Sequence, residues 1–289
     1  MSKKIKLRKK LKDALYDKYY GENGGQGVSK HAVKLSGEKD KTIHSRNTLK
    51  TYMQQADRFC NWCYAKNIRD FDQAKDTIKD YLQEMSKDKS AWTVYTAAAA
   101  LAKVYDCGIN DFDYVLPKRE RKSVRRSRIV AQRDARFSPK ENAQLILFGQ
   151  CMGLRRAEME ALHGNDLRYH DGKYYVKVGK AAKGGKPRMV RIVGDEKEVK
   201  TIIRAMQLAS DGLVFNYIHS AADIHYYRSV YACRLYKKEC RDNIPKEDRY
   251  ICRKDKAGII YDKKAMLICS KNLGHNRISV VAESYLHNL

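Results

Sequence analysis

The chain has 289 residues, enough for two domains that each bury a core, and carries 59 Lys+Arg against 34 Asp+Glu, a net charge of +25 with a pI near 9.7. That excess is clustered and far beyond what solubility needs, so it implies a polyanionic partner, nucleic acid above all. No apolar run reaches the ~18 residues of a membrane span, and no apolar segment follows the basic N-terminus, so the expectation is a soluble, cytoplasmic, nucleoid-associated protein with no membrane partner.

Eight cysteines lie without disulfide-like spacing and are read as reduced thiols. Cys60-Asn61-Trp62-Cys63 has metal or redox spacing, but no second CxxC or His pair follows at finger distance. Neither a metal nor a cofactor is expected.

Residues 1–40 open with Lys3, Lys4, Lys6, Arg8, Lys9, Lys10 and Lys12 and pass into GENGGQGVS, too rich in glycine for a helix. A flexible basic arm is expected there, either an idle tail or one that contacts phosphates. Residues 41–116 turn helical. Leu49, Tyr52, Met53, Ala56, Phe59, Cys60 and Cys63 recur at three and four spacing, Ile78, Tyr81, Leu82 and Met85 mark a second helix, and Ala91 to Tyr105 a third. The polar face of this helical domain offers Arg46 and Lys50 to DNA.

Pro117 ends it, and the stretch 117–139 carries nine basic residues against two acidic ones. Such a self-repelling segment reads as an extended interdomain linker over residues 117–137. Lys118, Arg119, Arg121, Lys122, Arg125, Arg126 and Arg128 are its candidate DNA contacts; a solvated spacer or a localisation signal is the alternative.

Residues 138–289 form the second domain. Ser138 and Pro139 read as the N-cap and first position of a helix over Lys140 to Gly153. In GLRRAEMEAL, Arg155 and Glu158 lie three apart and share a helix face. KYYVKVGK and RMVRIV alternate as the strands of a hairpin with Lys180, Lys183 and Lys186 at or near its tip. His225 and Arg228 sit three apart on the first turn of the next helix, where an anion would relieve two cations set against the dipole. Residues 241–262 read as loop plus a possible second hairpin. Gly274 suits the αL end of a helix over Lys263 to Asn272, and Ser279 the N-cap of a helix bearing Tyr285, which brings His275 into the corner near that tyrosine.

The succession of Arg155 in GLRR, the AKGGKPRMV hairpin, HYYR, His275 in LGH, and Tyr285 resembles the tyrosine recombinase, or phage integrase, family over residues 41 to 286. The resemblance implies a multidomain, mainly α fold with a small β-hairpin or sheet: a helical core-binding domain followed by a mixed α/β catalytic domain. By similarity, Arg155 matches the first arginine, Glu158 the acidic residue that steadies the site, Lys183 the hairpin lysine with Lys180 as alternative, His225 and Arg228 the H-x-x-R pair, His275 the following histidine, and Tyr285 the nucleophile.

The implied activity is site-specific cleavage and rejoining of double-stranded DNA at core sites through a 3′-phosphotyrosine, by a tetramer on two sites, for a mobile element. A type IB topoisomerase-like or relaxase-like nicking enzyme, or a DNA-binding regulator with an inactive site, are the alternatives. The sequence departs from the family pattern in three places. His275 and Tyr285 are ten apart, one more than the commonest spacing; residues 241–262 read as an insertion; and only four residues follow Tyr285, which leaves subunit interlocking open.

The residue types suit the chemistry. Two guanidiniums can fork onto non-bridging phosphate oxygens. A phenol with a pKa near ~10 needs that cationic setting to act as a nucleophile. His225 can assist as general base or as a hydrogen-bond partner, and Lys183 can protonate the leaving 5′-oxygen.

Overall fold

The computed structural model describes residues 3–37, 40–120, 137–179, 187–253, 256–286 and 289. The chain divides into two compact units, Met1–Val124 and Arg125–Leu289, the division falling inside the basic stretch 117–137. It is mainly helical with a small antiparallel sheet. Among the described residues no helix is long and apolar enough to cross a membrane.

The first unit holds α1 (Lys3–Tyr20), α2 (Lys30–Leu35), α3 (Arg46–Ala65), α4 (Phe71–Asp76), α5 (Ile78–Asp88) and α6 (Ala91–Val104). Residues 3–20, expected as part of a flexible arm, are instead a helix packed into this unit's core. Leu7, Leu11 and Leu15 repeat every four residues and, with Tyr19, form a buried stripe, while Lys6, Lys9 and Lys10 are exposed. Arg8 and Lys12 reach Asp57 of α3 at 3.2 and 2.9 Å. The glycines after α1 serve a tight return: the Gly25 and Ile43 amides both donate to Lys18 O, and a Cβ on Gly25 would lie 2.4 Å from Ile43 O.

Serine caps define two of the long helices. Ser45 Oγ accepts from Thr48 N before α3, and Ser90 Oγ from Thr93 N before α6. The buried Ala97 and Ala98 let α6 approach its neighbours closely. Cys60 and Cys63 are buried in this core, and burial pushes the Cys63 thiol up to about 12.

The second unit holds α7 (Ala143–Met152), α8 (Arg156–Glu160), β1 (Leu167–His170), β2 (Lys173–Val178), β3 (Arg188–Arg191), α9 (Glu196–Ala209), α10 (Ile224–Glu239), β4 (Arg249–Ile251), β5 (Ile260–Asp262), α11 (Lys263–Leu273) and α12 (Ser279–Ser284). The sheet order is β1-β2-β3, all antiparallel, with Val176 opposite Val190 and both buried. The expected hairpin is therefore present, with β1 as an unexpected third strand; Lys180, Lys183 and Lys186 lie outside the described residues.

Two helix starts differ from expectation. Ser138 Oγ accepts from Glu141 N in a turn that precedes α7, so the helix begins at Ala143 and not at Lys140. Ser279 is the first residue of α12 and not its cap: Ile278 before it is already αR, which leaves no extended residue whose side chain could turn back to the amides. In the core, α10 packs on α7 and α11 through the fully buried Tyr227 and Tyr231. Gly153 ends α7 at φ 58°, and a Cβ there would lie 2.3 Å from the Tyr231 ring. That close fit fixes the loop that carries Arg155.

Candidate active site

Arg155 caps α8, and its backbone N–H donates to Glu158 Oε2 at 2.8 Å while its Nη1 donates to Glu158 Oε1 at 2.7 Å. The sharing of one helix face expected for this pair thus takes the form of a helix start, with the carboxylate returned to the cap amide. The neighbouring Arg156 is spent differently. Its guanidinium donates to the carbonyls of Ile218, His219, Ser220 and Ala222, so it ties down a loop and leaves Arg155 to the site.

Glu158 is 4% exposed and accepts from a second guanidinium, that of Arg188, at 2.9 and 2.8 Å. Burial alone would raise its pKa. The hydrogen bonds from Arg188 and from the Arg155 backbone outweigh it and hold the carboxyl at about 2. Arg188 opens β3 and also donates from Nε to Asn272 O at 2.9 Å. Sequence reading missed this residue. The signal was available, because strand alternation places Arg188 on the same side as the buried Val190, and an arginine on an inward face needs a carboxylate partner.

Arg228 is 3% exposed on the second turn of α10. Its Nη1 donates to Gly153 O, and its Nη2 to Leu273 O at 3.0 Å and to the Tyr285 hydroxyl at 3.3 Å. Burial pulls its pKa below the usual arginine value, an effect that Tyr285 beside it opposes. The α10 N-terminus is capped by Asp223, which accepts from Tyr226 N. This carboxylate supplies the negative charge that the dipole favours, while Arg228 turns inward and exposed His225 stays on the first turn.

Gly274, at φ 69°, ends α11 as expected, and its carbonyl accepts from Arg155 Nη2 at 3.1 Å. A Cβ on Gly274 would lie 3.0 Å from Arg188 Cζ and 3.1 Å from Arg155 Nη1, so a glycine is needed here for both backbone and space. The following residue, His275, donates its amide to Ser270 O, and its Nε2 lies 3.0 Å from the Tyr285 hydroxyl. Burial, then the positive charges of Arg228, Arg155 and Arg188, push its pKa down to about 4, so the imidazole is neutral at pH 7.

Tyr285 follows α12 and is 4% exposed, its ring 5.4 Å from that of His275 and 5.1 Å from that of His225. Ser229 Oγ donates to Tyr285 O.

Six of the seven residues read as catalytic, Arg155, Glu158, His225, Arg228, His275 and Tyr285, therefore gather in one place. Lys183 lies outside the described residues. Among those described, no three His, Cys, Asp or Glu side chains converge to hold a metal ion. Of the DNA-contact candidates, Arg46 and Lys50 are exposed on the first turns of α3. Lys118 pairs with Glu120 at 3.7 Å, and Arg119 lies over the Tyr95 ring at 4.2 Å. Arg121, Lys122, Arg125, Arg126 and Arg128 lie outside the described residues.

Neither a known family profile nor a curated protein matches this sequence. Solved structures do. The chain is similar to the XerH site-specific recombinase bound to a palindromic difH substrate in a post-cleavage complex, with a TM-score of 0.58 at 14% identity over 99% of this chain and 93% of that one. The pre-cleavage complex of XerH with its difH substrate gives 0.53 at 14% identity, over 98% and 94%. A Tn1549 transposon integrase in complex with circular intermediate DNA gives 0.49 at 13% identity, over 98% and 96%. The fold of this chain is that of the tyrosine recombinases.

Proposed function

We propose that this chain is a site-specific DNA recombinase that cuts and rejoins duplex DNA through a covalent tyrosyl intermediate. The observation that carries this reading is the Tyr285 hydroxyl, held between neutral His275 at 3.0 Å and the guanidinium of Arg228 at 3.3 Å. A phenol so placed has an acceptor for its proton and a cation for the oxyanion it becomes.

In the reaction, Tyr285 Oη attacks the phosphorus, the Oη–P bond forms, and the P–O5′ bond breaks. His275 Nε2, the nitrogen at hydrogen-bond distance, takes the phenol proton; this moves to His275 the base role that sequence reading gave to His225. Arg155 and Arg228 neutralise the non-bridging oxygens. Nη1 of Arg228 carries a second N–H beyond the one bonded to Gly153 O, while the two N–H groups of Nη2 go to Leu273 O and to the Tyr285 hydroxyl. Glu158 holds Arg155 in place while the phosphate is absent. Lys183 protonates the departing 5′-oxygen. The 3′-phosphotyrosine keeps the bond energy, so attack by a 5′-hydroxyl of a second strand completes exchange with neither cofactor nor metal.

Arg46, Lys50, Lys118, Arg119, Arg121, Lys122, Arg125, Arg126 and Arg128 contact the phosphate backbone on this reading. Four protomers act on two core sites of a mobile element.

Incubating the protein with a nicked duplex, from which the short 5′-fragment diffuses away, should trap a denaturant-resistant adduct. Tyr285→Phe removes one hydroxyl, so it should bind the duplex as the parent does and give no adduct. An adduct in Tyr285→Phe would transfer the nucleophile to another tyrosine and overturn the assignment.

A further inference from the structure

The hairpin β4–β5 lies within residues 241–262, the stretch that the sequence reads as an insertion, and none of the steps above uses it. Its turn carries Lys256, whose ammonium donates to Ala282 O at 2.8 Å and to Leu286 O at 2.6 Å. The phenol of Tyr261 on β5 donates to the same Leu286 O at 3.3 Å. These carbonyls flank Tyr285 on both sides.

The segment they hold has little stability of its own. Helix α12 spans six residues and has no side-chain cap at its start. A helix that short does not persist in water without outside contacts. The Tyr285 and Leu286 amides both turn back to Val281 O, which leaves the Ala282 and Leu286 carbonyls at the negative end of the helix for Lys256. A lysine there has the right sign and the donors to satisfy both.

The hairpin, by contrast, is anchored. Arg241 donates from Nε and Nη2 to the fully buried Asp262 at 2.8 and 2.7 Å and to Asp248 at 2.8 Å, and the Asp262 amide donates to the Tyr236 hydroxyl. The Cys252 amide closes the turn by donating to Ile259 O at 2.9 Å. The anchored hairpin thus presents the Lys256 ammonium to a weakly self-stabilised segment.

We propose that Lys256 is a positioning residue for the nucleophile: the β4–β5 hairpin is a brace that holds Tyr285 Oη against His275 and Arg228. The inference rests on Tyr285 being the nucleophile. Lys256 touches no reacting atom. It acts through the backbone on either side of the tyrosine.

Lys256→Met keeps the alkyl stem and removes the donor, and Lys256→Arg keeps a cationic donor of similar reach. In single-turnover cleavage at saturating nicked duplex, Lys256→Met should slow adduct formation about ten- to a hundredfold, the range that an ångström of misplacement produces, with an unchanged Kd for DNA. Lys256→Arg should recover most of the rate. In the DNA-free full-length protein, the Tyr285 and Leu286 amides should exchange faster with deuterium in Lys256→Met than in the parent or in Lys256→Arg.

Cleavage by Lys256→Met at the parental rate, or slowed cleavage with unchanged exchange at those amides, overturns the proposal. If the parent itself forms no adduct, the nucleophile reading fails separately, and the exchange measurement alone decides whether Lys256 holds the segment. If Lys256→Met does not fold, Tyr261→Phe, which deletes one donor to Leu286 O, should speed exchange of the Leu286 amide; no change there counts against the brace.

Discussion

The cations of the site and its tyrosine are held by different physics. Arg155 and Arg188 are cross-linked by the buried carboxylate of Glu158, through short charged hydrogen bonds between α8 and β3. Tyr285 stands on a six-residue helix fixed by neutral contacts and by donors to its backbone carbonyls from Ser229, Lys256 and Tyr261. Charge pairing at low exposure is costly to break, so damage to the cation cluster should unfold the unit around it. Damage to the tyrosine's supports should misplace the hydroxyl and leave the unit folded.

The sharpest break of that comparison is Glu158→Ala, which leaves two guanidiniums without their shared counter-charge. Removal of one partner from a buried ion pair costs on the order of 3–5 kcal/mol, and urea denaturation of the full chain should show a loss in that range. Glu158→Gln keeps an acceptor and should lose less. A loss within ~0.5 kcal/mol for Glu158→Ala, the level of an ordinary surface substitution, would mean that the arginines are held by their carbonyl contacts alone.

Gly274→Ala tests the junction between the two regions. An alanine at φ 69° costs about 1 kcal/mol for the backbone alone. The added methyl also presses on both Arg188 and Arg155. Gly258→Ala, at φ 87° with no atom of the described residues within 4 Å of a Cβ, carries the backbone cost. Gly274→Ala should therefore be the more destabilising of the two in parallel urea titrations. Equal losses would show that the guanidiniums yield freely.

A third test is one of pH. His275 has its pKa lowered to about 4 in the folded chain, against ~6.5 for a free imidazole. Between those values the unfolded state binds more protons, so stability should fall as the pH drops from about 6.5 towards 4 and should owe nothing to this group above that window. His275→Ala should flatten that part of the stability-against-pH curve. An unchanged slope would place the acid sensitivity elsewhere.

The order of the site motifs was legible in the sequence because each sits at a helix or strand boundary with its own punctuation. Gly153 precedes Arg155, and Gly274 precedes His275. The hairpin was legible from alternation. What stayed hidden was masked by charge or by length. Eight basic residues in α1 obscured Leu7, Leu11 and Leu15, whose four-residue repeat buries a full stripe. Arg188 was read only as part of a strand, although its inward position demanded a partner. β1 escaped because Arg168, Tyr169 and His170 are exposed and give no alternation. Helix α12 is too short for a pattern to fix its start, and the role of Lys256 depends on a tertiary contact 26 and 30 residues away.

The bonds that assemble the site span great lengths of chain: 119 residues from Arg155 to Gly274, 75 from Arg228 to Gly153, and 57 from Arg228 to Tyr285. Closing loops of that size comes late in folding, because their entropy is lost before the contacts return anything. A partly folded molecule would therefore hold Arg155, Arg228 and Tyr285 apart. On the proposed function, the topology delays nicking competence until the second unit is complete, a safeguard against stray strand breaks that needs no separate inhibitor.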